Sequence, residues 1–220
     1  MIRVLLVDDL ACIRGGLHKI LEEASDIEIV GEASSGEEAV ALTRKLDSNV
    51  VVMDNSMPGI GGLEATKRIA REHPEMAILI LTIYPEDRYG PRFFRAGARG
   101  YIEKKVAPDE LLAAIRRVHC GGYYLSPKLQ EELLRQQFGK APAPLLDRLT
   151  DRELEVLVLI ASGKTTHEAA EDLKLSPKTV ETYRARIRKK LGLHTSADYL
   201  CFALEHDLLP ELSPRINLSP

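Results

Sequence analysis

The sequence predicts an α/β plus all-α chain, in which a doubly wound, five-stranded parallel sheet is followed by a four-helix domain. Three observations predict it. Roughly the first 120 residues alternate short β-branched apolar runs with longer amphipathic stretches. Those runs are apolar on both faces, as in strands covered by helices on either side. Beyond a Gly/Pro-rich break the apolar spacing turns purely helical and helix-starting residues recur.

Strands are expected at 4–7, 27–30, 50–53, 77–81 and 100–102, with helices at 12–24, 36–46, 63–72, 87–96 and 108–120. In such sheets the crossovers are right-handed, and ligands gather at the carboxyl ends of strands beside the topological switch. Ser126-Pro127 opens a short helix running to Phe138. Gly139-Lys140-Ala141-Pro142-Ala143-Pro144 then reads as a semi-stiff spacer. The expected organisation is a first domain over 1–122, a linker with a short helix over 123–146, a second domain over 147–212 and a tail over 213–220. In the second domain, Thr150 with Glu153 and Thr165 with Glu168 read as capping boxes. Ser176 precedes Pro177 as an N-cap, and Thr195 or Ser196 caps a last helix ending near Leu208.

The 220 residues carry 30 Lys+Arg against 33 Asp+Glu, a formal charge of −3 that gives no bulk reason to expect nucleic acid. A 45% hydrophobic composition excludes a mainly disordered chain. No apolar run approaches the roughly 18 residues of a membrane span. The N-terminal strand meets Asp8 and Asp9 too early for a signal peptide, so a cytoplasmic protein with no membrane partner is expected. Cys12, Cys120 and Cys201 fit neither zinc nor disulfide spacing and read as buried packing residues in a reducing compartment. No two of the six histidines show ligand spacing with a third group.

Strand ends carry the chemistry. Asp8-Asp9 follow the first strand and Asp54 the third, neighbours across the switch point, so three carboxylates should converge. Bare carboxylates repel, and oxygen-only ligands with open positions suit Mg²⁺. Thr82 ends the fourth strand with a hydroxyl, and Lys104 follows the fifth with an ammonium. Acids, metal, hydroxyl and ammonium make a phosphoryl-transfer site with an Asp nucleophile. Any one of these residues alone is turn, cap or surface chemistry; their meeting on one rim reverses that reading.

Val4-Leu5-Leu6-Val7-Asp8-Asp9, Val52-Met53-Asp54-Asn55-Ser56-Met57-Pro58-Gly59, Leu81-Thr82 and Gly100-Tyr101-Ile102-Glu103-Lys104 resemble a response-regulator receiver domain. The resemblance implies Asp54 as phosphoacceptor, and Asp8, Asp9, Asp54 and the Ser56 backbone carbonyl as Mg²⁺ ligands. It implies Thr82 and Tyr101 as a switch pair and Lys104 as phosphoryl counter-ion, with Lys105 the adjacent alternative. Thr82 would move to the phosphoryl group and vacate space that Tyr101 fills, beside Phe93 and Phe94. In the Gly59-Ile60-Gly61-Gly62 loop, Gly61 is expected to serve as an N-cap. Tyr84, two residues beyond Thr82, is expected to shield the phosphoryl group and slow its hydrolysis.

The second domain sums to −2, yet residues 177–191 hold six cations (Lys178, Arg184, Arg186, Arg188, Lys189, Lys190) against Glu181 alone, a net of +5. At helical spacing Val180, Ile187 and Leu191 form the buried stripe. Opposite lie Lys178, Thr182, Ala185 and Lys189, flanked by Glu181 and Arg186, with no i,i+4 pairing of opposite signs. Small residues ringed by cations suit entry into a major groove, where Thr182 and Ala185 can touch thymine methyls and Glu181 can accept from a cytosine amine. With the helix before it and the Lys174-Leu175-Ser176 turn, this makes a helix-turn-helix.

Leu149-Thr150-Asp151-Arg152-Glu153-Leu154-Glu155-Val156-Leu157, Ser176-Pro177-Lys178-Thr179-Val180-Glu181-Thr182-Tyr183 and Arg188-Lys189-Lys190-Leu191-Gly192-Leu193 resemble a LuxR-type output domain. The whole chain is thus similar to a two-component response regulator of the NarL/FixJ type. That implies a non-enzymatic transcriptional regulator, phosphorylated by a sensor histidine kinase, that binds double-stranded DNA, meets RNA polymerase and is a homodimer when active. DNA contacts would come from Lys178, Thr179, Glu181, Thr182, Tyr183, Ala185, Arg186 and Lys189, and dimerisation from Ala197, Leu200, Cys201 and Leu204. Tyr183 stands where that family usually has His, and Lys174 replaces a turn glycine and would be strained at positive φ. The alternative is a phospho-dependent switch whose basic helix binds an acidic protein or RNA. A phosphatase needs a substrate cavity, and no capping insertion between strands is present to build one.

Overall fold

The structure, a computed structural model, describes residues 1–138, 145–206 and 208–209. It divides into two compact units, Met1–Lys140 and Ala141–Pro220. The expected spacer at 139–144 and the tail at 213–220 lie outside the described residues. No helix among the described residues is long and apolar enough to cross a membrane.

In the first unit, strands β1 (Ile2–Val7), β2 (Ile27–Ala33), β3 (Val50–Met53), β4 (Ala77–Thr82) and β5 (Gly100–Glu103) form one sheet in the order β2-β1-β3-β4-β5. Every pairing is parallel, and the order reverses between β1 and β3, the switch point the sequence predicts. Helices α1 (Ala11–Glu22) and α5 (Pro108–His119) bury Leu21, Leu111, Ala114, Ile115 and Val118 against Val4, Leu6, Val52 and Leu79. The alternate residues Leu5, Val51, Ile78 and Ile80 are equally buried, so the other face is covered as well. Helices α2 (Gly36–Thr43), α3 (Gly61–Glu72) and α4 (Glu86–Ala96) pack side by side in sequence order.

Two local expectations are corrected. Helix α3 takes Ile60, not Gly61, as its N-cap; the Ile60 N–H donates to the Glu37 carboxylate at 3.0 Å, while Gly61 sits inside the first turn at φ 71°. A carboxylate from a neighbouring helix thus supplies the acceptor that no local side chain provides. The three cysteines are exposed rather than buried. Their apolar character does not decide the side of a surface helix they occupy, and larger residues such as Leu21, Val118 and Phe202 take the inner positions.

Residues 123–135 belong structurally to the first unit. The Tyr124 carbonyl accepts from the Tyr101 N–H at 3.0 Å, extending β5 outward. Helix α6 (Pro127–Phe138), started by the Ser126 hydroxyl accepting from the Leu129 N–H, packs on α4 and buries Leu129.

The second unit contains α7 (Asp151–Ala161), α8 (Thr166–Asp172), α9 (Pro177–Leu191) and α10 (Ser196–Glu205), after a 3-10 turn at Leu145–Arg148. Thr150/Glu153 and Thr165/Glu168 form the expected capping boxes, Ser176 caps α9, and Thr195 with Asp198 makes a further box on α10. Lys174, in the turn between α8 and α9, stands at φ 53°, the strained left-handed region expected of a residue in the glycine position. Leu154, Leu157, Ile160, Ala169, Val180, Ile187, Tyr199 and Phe202 make the core; Leu191 closes the inner stripe of α9 only half-buried.

Candidate functional site

Sheet register brings the acids together. Val7 pairs with Met53, and the Asp54 N–H donates to the Val7 carbonyl at 2.8 Å, so Asp8 and Asp54 leave adjacent strands at the same height. Ligand oxygens of Asp8, Asp9 and Asp54 lie within 4.8 Å of one another. Asp8 and Asp54 are 2% and 5% exposed, and Asp9 is half-buried. Ser56 lies half-buried on the loop that follows. That loop is held against α3, where the Gly62 N–H donates to the Asn55 carbonyl at 3.0 Å. A Cβ on Gly62 would stand 2.1 Å from the Asp54 carbonyl oxygen, so only glycine fits there.

The Lys104 N–H donates to the Thr82 carbonyl at 2.7 Å, which places its side chain at the same rim. Its ammonium bonds Asp8 Oδ2 at 2.6 Å and Asp54 Oδ1 at 3.2 Å. Lys105 points outward onto Glu103, so the structure places Lys104, and not its neighbour, in the pocket. Burial pushes the Asp54 carboxyl up to about 6, against the pull of Lys104 and with repulsion from Asp8 adding to the rise. The Lys104 ammonium is held above its ordinary value, because the attraction of Asp54 and Asp8 outweighs its burial. Lys104 thus serves two of the three carboxylates, Asp8 and Asp54. Three carboxylates around a shared point, oxygen donors only, fit a small hard cation.

Behind the cluster, Thr82 is completely buried and its Oγ1 accepts from the Tyr84 N–H at 3.4 Å. Tyr101 is already inside, 2% exposed, with its ring centroid 5.8 Å from Phe93 and its hydroxyl donating to the Tyr84 carbonyl at 3.0 Å. The Tyr84 carbonyl gives the buried hydroxyl a partner within the core. The Tyr84 ring leans on Tyr89, centroids 4.8 Å apart.

In the second unit, Lys178, Thr182, Ala185, Arg186 and Lys189 are all exposed on one side of α9, while Thr179 and Tyr183 are half-buried. The Arg186 guanidinium lies 5.7 Å from the Tyr183 ring centroid. Two partnerships were invisible in the sequence. Glu181 accepts from the Thr166 hydroxyl at 2.7 Å and from Arg184 at 3.0 Å, so signs do mix on this helix, at i,i+3. Lys190 reaches back to Glu153, 1% exposed, at 2.5 Å and leaves the outward face. Glu153 already accepts from the Thr150 N–H at 2.7 Å. Its burial would raise the carboxyl, but Lys190 and Thr150 outweigh that and hold it below its ordinary value. The capping-box spacing announced Glu153; nothing local announced Lys190. On α10, Ala197, Leu200, Cys201 and Leu204 form an exposed stripe, and Tyr199, Phe202 and Ala203 face the core.

Comparison with known proteins agrees with this geometry. The family described as "Response regulator receiver domain" matches residues 4–116, and "Bacterial regulatory proteins, luxR family" matches residues 147–203. The chain is similar to the response regulator UvrY of Escherichia coli (strain K12), 42% identical over 210 residues, 94% of this chain and 96% of the relative. It is also similar to the response regulator GacA of Pseudomonas aeruginosa, 37% identical over 215 residues, 97% of this chain and 100% of that one. Among solved structures it is similar to RcsB from Salmonella enterica serovar Typhimurium bound to promoter rprA in the presence of phosphomimetic BeF3−. That match has a TM-score of 0.60 and 27% identity, covering 91% of this chain and 97% of RcsB.

Proposed function

Because the chain belongs to the response regulators of the NarL/FixJ type, it is a DNA-binding transcription regulator and not an enzyme, and we propose that Asp54 is its phosphoacceptor. The observation that supports this reading is the meeting of Asp8, Asp9, Asp54 and Lys104 at the switch point of the sheet. A sensor histidine kinase is the phosphodonor, and the protein works in the cytoplasm.

Asp8, Asp9, Asp54 and the Ser56 carbonyl would hold Mg²⁺, which would neutralise the carboxylates and the incoming phosphoryl oxygens. Asp54 attacks the phosphorus in its ionised form; the bond to the donor breaks and an aspartyl phosphate forms. Lys104 exchanges its bond to Asp54 for one to a phosphoryl oxygen. The Thr82 hydroxyl, held only by a long bond from the Tyr84 N–H, turns to a second oxygen. Tyr101, fixed by the Tyr84 carbonyl, senses that turn through the same loop. Tyr84→Ala is expected to shorten the phosphorylated lifetime about threefold, roughly 0.6 kcal/mol in the barrier. Equal lifetimes in a chase with unlabelled donor would remove the shielding role.

The output helix α9 enters the major groove with Lys178, Thr179, Glu181, Thr182, Tyr183, Ala185, Arg186 and Lys189 toward DNA. The Ala197, Leu200, Cys201 and Leu204 stripe joins two protomers on a two-fold operator, where contact with RNA polymerase follows. The test is selection from a random duplex pool with and without beryllofluoride. One palindromic sequence, enriched chiefly with beryllofluoride, is expected. Enrichment of nothing, or of RNA in a parallel pool, would overturn the reading.

A further inference from the structure

Helix α1 starts without a side-chain cap at Leu10, so the turn between β1 and α1 depends on bonds from elsewhere. The Asp8 N–H donates to the Ala33 carbonyl at 3.1 Å, and the Leu10 N–H donates to Asp8 Oδ1 at 2.9 Å. The Asp8 carbonyl accepts from Arg14 Nη1 at 2.6 Å. Arg14 is half-buried; its own backbone N–H donates to the Leu10 carbonyl at 3.1 Å, and its Nε donates to Glu32 on β2 at 3.1 Å. One guanidinium therefore ties the turn to the strand beside β1.

We propose that Arg14 is a positioning residue for Mg²⁺, setting the peptide plane between two of its proposed ligands, Asp8 and Asp9. The inference rests on the Mg²⁺ reading above and deepens it. The Asp8 carbonyl and the Asp9 N–H belong to one planar unit, so a bond that fixes the carbonyl also fixes the direction in which Asp9 leaves the turn. A second cation near a divalent one is unfavourable by itself. Glu32 offsets that repulsion by pairing with Arg14. The bonds from Arg14 and then His18 outweigh burial and hold the Glu32 carboxyl below its ordinary value, so it is ionised at neutral pH. The pair thus delivers a charge-assisted bond to Asp8 with little net charge. Geometry and charge are separable here, because Mg²⁺ demands near-ideal octahedral coordination whereas Ca²⁺ tolerates irregular ligand placement. A change in nearby charge weakens both divalent ions alike; a misdirected Asp9 weakens Mg²⁺ more.

The experiment titrates the full chain with Mg²⁺ and, separately, with Ca²⁺, following the backbone amide NMR shifts of Asp8, Asp9 and Asp54, and measures amide exchange without metal. Arg14→Gln is expected to weaken Mg²⁺ about tenfold and Ca²⁺ by about threefold or less. Tenfold is the low end for a partner that orients a metal ligand, because the bond goes to the Asp8 backbone rather than to its carboxylate. In the metal-free variant the Asp9 and Leu10 amides are expected to exchange faster while the β1 amides stay as in wild type, which shows that the fold is kept. Glu32→Ala changes an exposed side chain and leaves Arg14 without its anchor, so it tests the same ratio should Arg14→Gln not fold. It is expected to shift the Mg²⁺-to-Ca²⁺ ratio in the same direction by a smaller factor. Mg²⁺ affinity unchanged in Arg14→Gln, or both ions weakened by one factor, overturns the inference alone. A wild type that binds neither ion at these carboxylates overturns the reading beneath it.

Discussion

Asp54→Asn is expected to abolish phosphate incorporation from an acyl-phosphate donor and, in the same molecule, to stabilise the metal-free fold. The first effect follows from removing the proposed nucleophile; a phosphoprotein gel shift that persists would show that another residue accepts the phosphate. The second follows from the carboxyl, pushed up to about 6 by burial from an ordinary 3.8. Between those values the folded state holds more protons than the unfolded chain, so stability falls as pH rises. Above the folded value the cost is constant, and about two pKa units correspond to about 3 kcal/mol. Asn carries no charge to bury. In EDTA at pH 7 the variant should therefore unfold at higher temperature than wild type, with the difference shrinking toward pH 4. A difference independent of pH would mean that the stabilisation has another source.

The other large effect is expected from Lys190→Met. It leaves the Glu153 carboxylate buried with only the Thr150 backbone and side-chain donors. Breaking a buried pair from one side typically costs several kcal/mol; since Lys190 is partly exposed, about 2 kcal/mol is expected here. The sign with pH is informative. In wild type the depressed Glu153 carboxyl contributes stability that is present above the ordinary carboxylate value of 4.5 and lost as pH falls through its folded value. Without Lys190 burial dominates, so the penalty should grow as pH rises and fade in acid. Hydrogen exchange of the α7 amides at two pH values measures it locally, and Glu153→Gln with Lys190→Met should recover most of the loss. Equal exchange in wild type and the single variant would mean that the pair adds nothing.

Features announced by neighbours in the chain were the legible ones. Strand ends at Asp8, Asp54, Thr82 and Lys104 could be placed on one rim because parallel topology leaves little choice of order. Capping boxes at Thr150 and Thr165 could be placed because both partners lie within one turn. Features needing a partner from another element were not legible. The Lys190–Glu153 bond, the bonds of Thr166 to Glu181 and Arg184, and the Glu37 carboxylate on the Ile60 N–H join residues 15 to 37 positions apart. Charge counting on α9 overstated its reach for the same reason, since two of its six cations are committed inward. The cysteines were misplaced because residue type does not select one side of a surface helix.

Gly62 has a consequence for how this sequence can drift. With its missing Cβ facing the Asp54 carbonyl across 2.1 Å, no single amino-acid replacement there leaves the Asp54 backbone where it is. The codon is closed to every missense change, although the residue bears no functional group and a census of reactive side chains would pass over it.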